Sequence, residues 1–117
     1  MTNIKAIRSA ASRLKGYVRE TPILTSPFLD EIAGKNIYVK AESLQHTGSF
    51  KFRGGWSAIS EMSEKKRKNG VLAISSGNHA QGVANAARAF NTKSVIIMPE
   101  DAPSLKIANT RKLGAEV

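Results

Sequence analysis

"VLAISSGNHAQGVANAARAFNTKSVIIM", Val71 to Met98, is the stretch on which the reading of the fold turns. "VLAIS" and "SVIIMP" are short, continuous apolar runs bounded by turn residues, the pattern of strands buried on both faces. Between them "SGNHAQGVANAARAF" reads as a loop of small polar residues opening into a helix. Strand, crossover helix and strand in this order predict a parallel α/β sheet with right-handed connections.

The alternation continues on either side. Downstream, "APSLKIANTRKLG" reads as a helix with Pro103 in its first turn and Gly114 beyond its end, and "AEV" starts a further strand. Upstream, Ile4, Ile7, Ala11, Leu14 and Val18 recur at spacings of three and four, one apolar helical face that ends before Pro22. "TSPFLDEIAG" suits a turn and a short helix ending at Gly34. "NIYVKAE" alternates like a strand, "LQHTGS" is a loop, and Ser49 is placed to cap a helix running from Phe50 into "EKKRK". A parallel sheet needs cover on both faces, yet the 117 residues stop as a strand begins. The expectation is a truncated three-layer α/β fold, the N-terminal portion of a longer protein.

Composition narrows the class. Hydrophobic residues make up 41% and charged residues 23%, as in an ordinary globular chain. No apolar run reaches membrane-spanning length. Cysteine is absent, which removes disulfide and thiolate chemistry and fits a cytoplasmic location. The formal charge of +9 invites a nucleic-acid reading, but only "EKKRK" is densely basic and no interleaved aromatics accompany it. Residues 1–19 carry Lys5, Arg8, Arg13, Lys15 and Arg19 without an acid, as a transit peptide would. The apolar stripe favours an ordinary docked helix instead.

Two stretches hold candidate chemistry. In "AISSGNHAQG", Ala73 to Gly82, residues Ser75, Ser76, Gly77 and Asn78 offer hydroxyls, an amide and free backbone N–H groups at a positive helix end. A carboxylate or phosphate would be held there; equally, such residues simply cap helices. In "HTGSFKFRGG", His46 to Gly55, Lys51 stands between Phe50 and Phe52 and beside Arg53. Aromatic neighbours that exclude water, and a second cation, both disfavour the ammonium. A neutral amine there could form a Schiff base with a carbonyl that the residues do not identify. His46 reads as structural, His79 as a contact at a helix start without a metal cluster, and Trp56 as core.

Together, "SFKFRGG" and "SSGNHAQGVA" resemble the signature pair of fold type II pyridoxal-phosphate enzymes, the tryptophan-synthase-beta-like group. The resemblance is to threonine/serine dehydratases in particular, with serine racemases and hydroxyaspartate dehydratases as near relatives. "TPIL", "VKAESLQHTGSFKFRGG" and "IIMPEDAPSLKIANTRKLGAEV" extend it from Thr21 to Val117.

By position, the resemblance implies that Lys51 holds pyridoxal 5'-phosphate as a Schiff base and moves the substrate's Cα proton. Phe50 would lie against the pyridine ring and Asn78 would bond the phenolic oxygen. Ser75, Ser76, Gly77, Asn78 and His79 would form the loop for the substrate carboxylate. The implied reaction converts a small hydroxy amino acid into a 2-oxo acid and ammonia, with threonine and serine first, and hydroxyaspartate dehydration or serine racemisation as alternatives. Ser76 either exchanges a proton opposite Lys51 or merely caps.

Residues 1–68 would be mostly large-domain elements and 69–117 an incomplete small domain. The full-length protein is expected to be a homo-oligomer binding neither nucleic acid nor membrane. No phosphate-cradling loop is present, since Gly54-Gly55 is too short. An inactive fragment or a basic nucleic-acid binder are therefore the readings from other classes.

Overall fold

The computed structural model describes residues 2–117. Asn3 caps the first helix, α1 (Ile4–Leu14), its side chain accepting from the Ala6 N–H at 3.0 Å. The predicted helix to Val18 is cut short because Gly16 takes φ +80°, a left-handed turn that breaks the ladder. Leu14 and Val18 pack against the core, whereas Ile4 and Ile7 are exposed, so α1 docks by its C-terminal end. Arg13 fastens that end. Its guanidinium donates to Ser57 and Ser60, and its carbonyl accepts from Trp56 Nε1 at 3.2 Å.

Pro22 is followed by a strand that the sequence reading did not contain, β1 (Ile23–Leu24). It pairs antiparallel with β2 (Val39–Lys40), which is only the centre of the predicted "NIYVKAE" strand. Between them lies α2 (Pro27–Ala33), capped by Ser26 and ended by Gly34 at φ +63°, as its turn residues require. Short 3₁₀ turns at Glu42–Leu44 and His46–Gly48 lead to α3 (Lys51–Glu61).

The single helix expected from Phe50 into "EKKRK" is two. Met62 turns extended and Ser63 starts α4 (Glu64–Lys68), accepting from the Lys66 N–H at 3.4 Å. Ser63 followed by Glu64 is a start signal, and it wins over continuation of the basic run.

The remaining elements follow the predicted order: β3 (Val71–Ile74), α5 (Asn78–Ala89), β4 (Ser94–Ile97) and α6 (Ser104–Lys112). β3 and β4 pair in parallel, Val71 opposite Ser94 through Ile74 opposite Ile97. Glu116 bridges to Val95 in parallel, so the strand expected at "AEV" begins there. One face of this sheet lies on helices. The other, with Leu72, Ile74, Val95 and Ile97, is open to solvent, so two of the three expected layers are present.

The core forms where α3 crosses α5. Phe52, Trp56 and Ile59 lie on one stripe of α3 and meet Ala80, Val83, Ala84 and Ala87 of α5, with Ile96 beneath. Trp56 is core, as read, stacked on Tyr17 and tilted against Phe90. Helix α5 is buried on nearly all sides, which explains its alanines: larger side chains would not fit between α3 and the sheet. The crossing is closest at two glycines. A methyl group on Gly55 would fall 2.9 Å from the Gly82 carbonyl oxygen, and one on Gly82 would fall 2.9 Å from the Lys51 carbonyl carbon.

Glycines of these two helices should therefore respond differently to alanine. Gly54→Ala meets nothing within 4 Å and should raise stability by about 0.5–1 kcal/mol through helix propensity. Gly55→Ala and Gly82→Ala should each lower it by about 1–3 kcal/mol, as overpacking against backbone does. Thermal or urea unfolding of the three variants checks the contrast.

Candidate active site at the crossing of two helices

Lys51 is the first hydrogen-bonded residue of α3. Phe50, with helical angles, takes the cap position expected for Ser49, while Ser49, extended before it, accepts from the Lys51 N–H at 3.4 Å. The predicted drying of the amine is not. Adjacent helix positions point about 100° apart, so Phe50 and Phe52 cannot both face Lys51. Phe52 is 3% exposed and turns into the core, edge-on to His46, which has the structural role read for it. Phe50 is 58% exposed, with the Lys51 ammonium 5.0 Å from its ring centre. Lys51 itself is exposed, and among the described residues its amine has no hydrogen bond or ion pair.

Arg53 is engaged by a carboxylate. Its guanidinium grips Glu42 through both carboxylate oxygens, at 2.7 and 2.8 Å, and also donates to the Arg19 carbonyl. Thr21 adds a hydroxyl to the same carboxylate and Lys40 stands 3.9 Å away. The hydrogen bonds from Arg53 chiefly hold the Glu42 carboxyl down at about 2, against the opposing effect of burial. Reciprocally, Glu42 holds the Arg53 guanidinium above its ordinary range. The pair locks the loop before α3 to the segment after α1.

The second half of the site is the turn from β3 into α5. Ser75 continues the sheet through a bond from its N–H to the Ile97 carbonyl at 3.0 Å. Its hydroxyl oxygen accepts from the N–H groups of Gly77 and Ala80, so Ser75 works first as the cap. The N–H groups of Ser76, Asn78 and His79 have no partner among the described residues. Ser76 and Asn78 are exposed and His79 half-buried. The turn thus offers free donors at a positive helix end, which suits a carboxylate.

Gly82 joins the halves. It touches the Lys51 backbone, and Asn78 lies one turn earlier on the same face of α5, about 6 Å along its axis. The start of α3 at Lys51 therefore lies against α5 one turn beyond Asn78. A partner of Asn78 that sequence reading missed is Lys106, which donates to Asn78 Oδ1 from α6. Elsewhere, Thr47 Oγ1 and Gln81 Nε2 are buried without partners among the described residues. Both residues line a cavity of about 300 Å³ with Arg88 and Lys112, and neither Lys51 nor the turn contributes to it.

The family model described as "Pyridoxal-phosphate dependent enzyme" matches residues 14–117. The chain belongs to that family. It is 53% identical over 108 residues to an L-threo-3-hydroxyaspartate ammonia-lyase of a Pseudomonas species, covering 92% of this chain and 34% of that protein. It is 49% identical over 117 residues to the L-threonine ammonia-lyase of Thermotoga maritima, covering all of this chain and 29% of that one. The crystal structure of serine racemase from Dictyostelium discoideum superposes with a TM-score of 0.94 at 41% identity, over 99% of this chain and 38% of that one. The chain thus spans about a third of the length of the curated relatives it matches.

The residues present fit the aldehyde end of pyridoxal phosphate. An unpaired primary amine suits the aldehyde, an exposed phenyl ring suits the pyridine, and amide and N–H donors suit its oxygens. They do not supply a phosphate cradle: Gly54 and Gly55 lie inside α3, where Gly55 is taken up by packing. Among the described residues no group of His, Cys, Asp and Glu could hold a metal, and no helix is long and apolar enough to cross a membrane.

The Glu42–Arg53 pair makes acid stability a test. Glu42 is depressed from 4.5 to about 2, so its contribution is complete above pH 4.5 and is lost as pH falls through 2. Glu42→Gln should cost about 2 kcal/mol at neutral pH and flatten the stability curve between those limits, measured by urea unfolding as a function of pH.

Proposed function

We propose that this chain carries the lysine half of the active site of a pyridoxal-phosphate-dependent ammonia-lyase. Its substrates are small hydroxy amino acids, threonine and serine first, and its products a 2-oxo acid and ammonia. The observation that supports this reading is the contact of Gly82 with the Lys51 backbone: one helix begins at a lysine whose amine has no partner among the described residues, and the other has free N–H donors one turn before Gly82.

In this reading, Lys51 would hold the cofactor at its aldehyde end, and its amine, once released to the substrate's own amine, would take the proton from the substrate's Cα. When bound, the cofactor supplies an electron sink for the negative charge left on that carbon. Phe50 would cover the ring and Asn78 would donate to the phenolic oxygen. The free N–H groups of Ser76, Asn78 and His79, with the Ser76 hydroxyl, orient the substrate carboxylate. Gly77 keeps the backbone there open, and the Ser75 hydroxyl proton remains available while its oxygen caps the helix. Exposure of Lys51 in these residues is consistent with a site whose remaining wall, including the phosphate cradle, comes from elsewhere in a longer protein. The same reading divides the chain near residue 68, assigns the earlier part to a large domain, and expects a cytoplasmic homo-oligomer.

A second reading, hydroxyaspartate as substrate, is favoured by the 53% and 49% identities to two L-threo-3-hydroxyaspartate ammonia-lyases. Serine racemisation stands third, supported by the Ser76 hydroxyl and the racemase likeness.

The test is 2-oxo acid and ammonia release by the full-length protein from L-threonine, L-serine and L-threo-3-hydroxyaspartate. Turnover of the first two is expected, falling by about 10³-fold or more in Lys51→Ala. Borohydride should fix the cofactor to a peptide containing Lys51. Activity on hydroxyaspartate alone selects the second reading. Salt-sensitive nucleic-acid binding by a protein that ignores the cofactor would end the enzyme reading altogether.

A further inference from the structure

We infer that Lys106 is a positioning residue for the cofactor and acts through Asn78; this rests on the function proposed above. The Lys106 ammonium donates to Asn78 Oδ1 at 2.5 Å, across 28 residues of sequence. An ammonium has donors only, so the contact fixes the sense of the amide: oxygen toward Lys106, NH₂ away from it. A free asparagine side chain flips at little cost and would present its acceptor to a ligand oxygen as readily as its donors. With the oxygen held, Asn78 offers a bound ligand two N–H donors and no acceptor. The positive charge also draws electron density from the amide, which strengthens those donors.

Lys106 is equipped to hold this position. Its N–H donates to the Pro103 carbonyl at 2.8 Å, and its carbonyl accepts from the Thr110 hydroxyl, also at 2.8 Å. Thr110 is completely buried, so the first turn of α6 is anchored in the fold. Among the described residues no carboxylate pairs with Lys106, which leaves its charge to Asn78. The chemistry points to a ligand atom that accepts hydrogen bonds and carries negative charge, as a phenolic oxygen does.

The experiment is titration of pyridoxal 5'-phosphate into the full-length apoprotein, followed by absorbance, for Lys106→Met, Lys106→Arg, Asn78→Ala and the Asn78→Ala/Lys106→Met double variant. Lys106→Met should weaken binding about tenfold, the size of one charge-assisted hydrogen bond. Lys106→Arg should stay within about threefold, because a guanidinium is also donor-only. The double variant should bind no more weakly than Asn78→Ala, since Lys106 acts only through that amide.

In ¹⁵N spectra of the apoprotein, the Asn78 side-chain resonances should shift with Lys106→Met and not with Lys106→Arg. Wild-type affinity in Lys106→Met, or additive losses in the double variant, overturns the inference while leaving the proposed function standing. Failure of the unsubstituted protein to bind the cofactor overturns both.

Discussion

Everything at the candidate site depends on two helices coming closer than side chains ordinarily allow. Gly82 has no Cβ, so the backbone of α5 can rest on the carbonyl of Lys51. Gly55 repeats the device one turn further along α3. Because interiors pack densely, a contact this close leaves almost no freedom to slide or rotate. The lysine is therefore positioned by backbone geometry, not by partners of its own side chain. Its amine can remain unpaired and mobile while its origin is fixed.

That arrangement shows how much of the site was legible in the sequence. Lys51 is followed one turn later by Gly55, and Asn78 one turn later by Gly82. Each residue of interest and its glycine share a helical face, a signal that was available and went unread. The β3–α5–β4 unit was legible because buried strands and a capped helix leave strong local patterns. So were Gly34 and Pro103, whose backbone demands are local. The break at Met62 was missed because continuing basic residues masked the start signal at Ser63. Strand β1 was missed because two residues are too few for a period, and its pairing with β2 is decided in space.

The largest error concerned the surroundings of Lys51, and its cause is geometric. Neighbours in sequence are not neighbours on a helix, so two flanking phenylalanines do not make a dry pocket. Arg53 was read as a repelling charge because its partner, Glu42, sits in a loop eleven residues earlier. Lys106 was invisible for the same reason, being 28 residues from Asn78. Charge constellations of this kind are assembled by the fold, whereas caps and turns are written locally. Motif resemblance named candidate residues without that geometry, and it named neither the Glu42–Arg53 pair nor the lysine that meets Asn78.

The formal charge of +9 takes on a different meaning once its members are placed. Arg13 ties α1 to α3, Arg53 ties α3 to the preceding loop, and Lys106 meets Asn78. These cations are engaged within the chain, so the net charge overstates how much basic surface is free for a polyanion. Meanwhile the uncovered face of β3 and β4 carries Leu72, Ile74, Val95 and Ile97. Apolar cover on that face would stabilise the sheet, yet the contact of the Lys51 backbone with Gly82 does not rely on it. The contact is made between two helices on the opposite, packed side, through backbone atoms that no covering segment needs to touch. The placement of the Lys51 backbone against α5 is therefore independent of whatever covers that face.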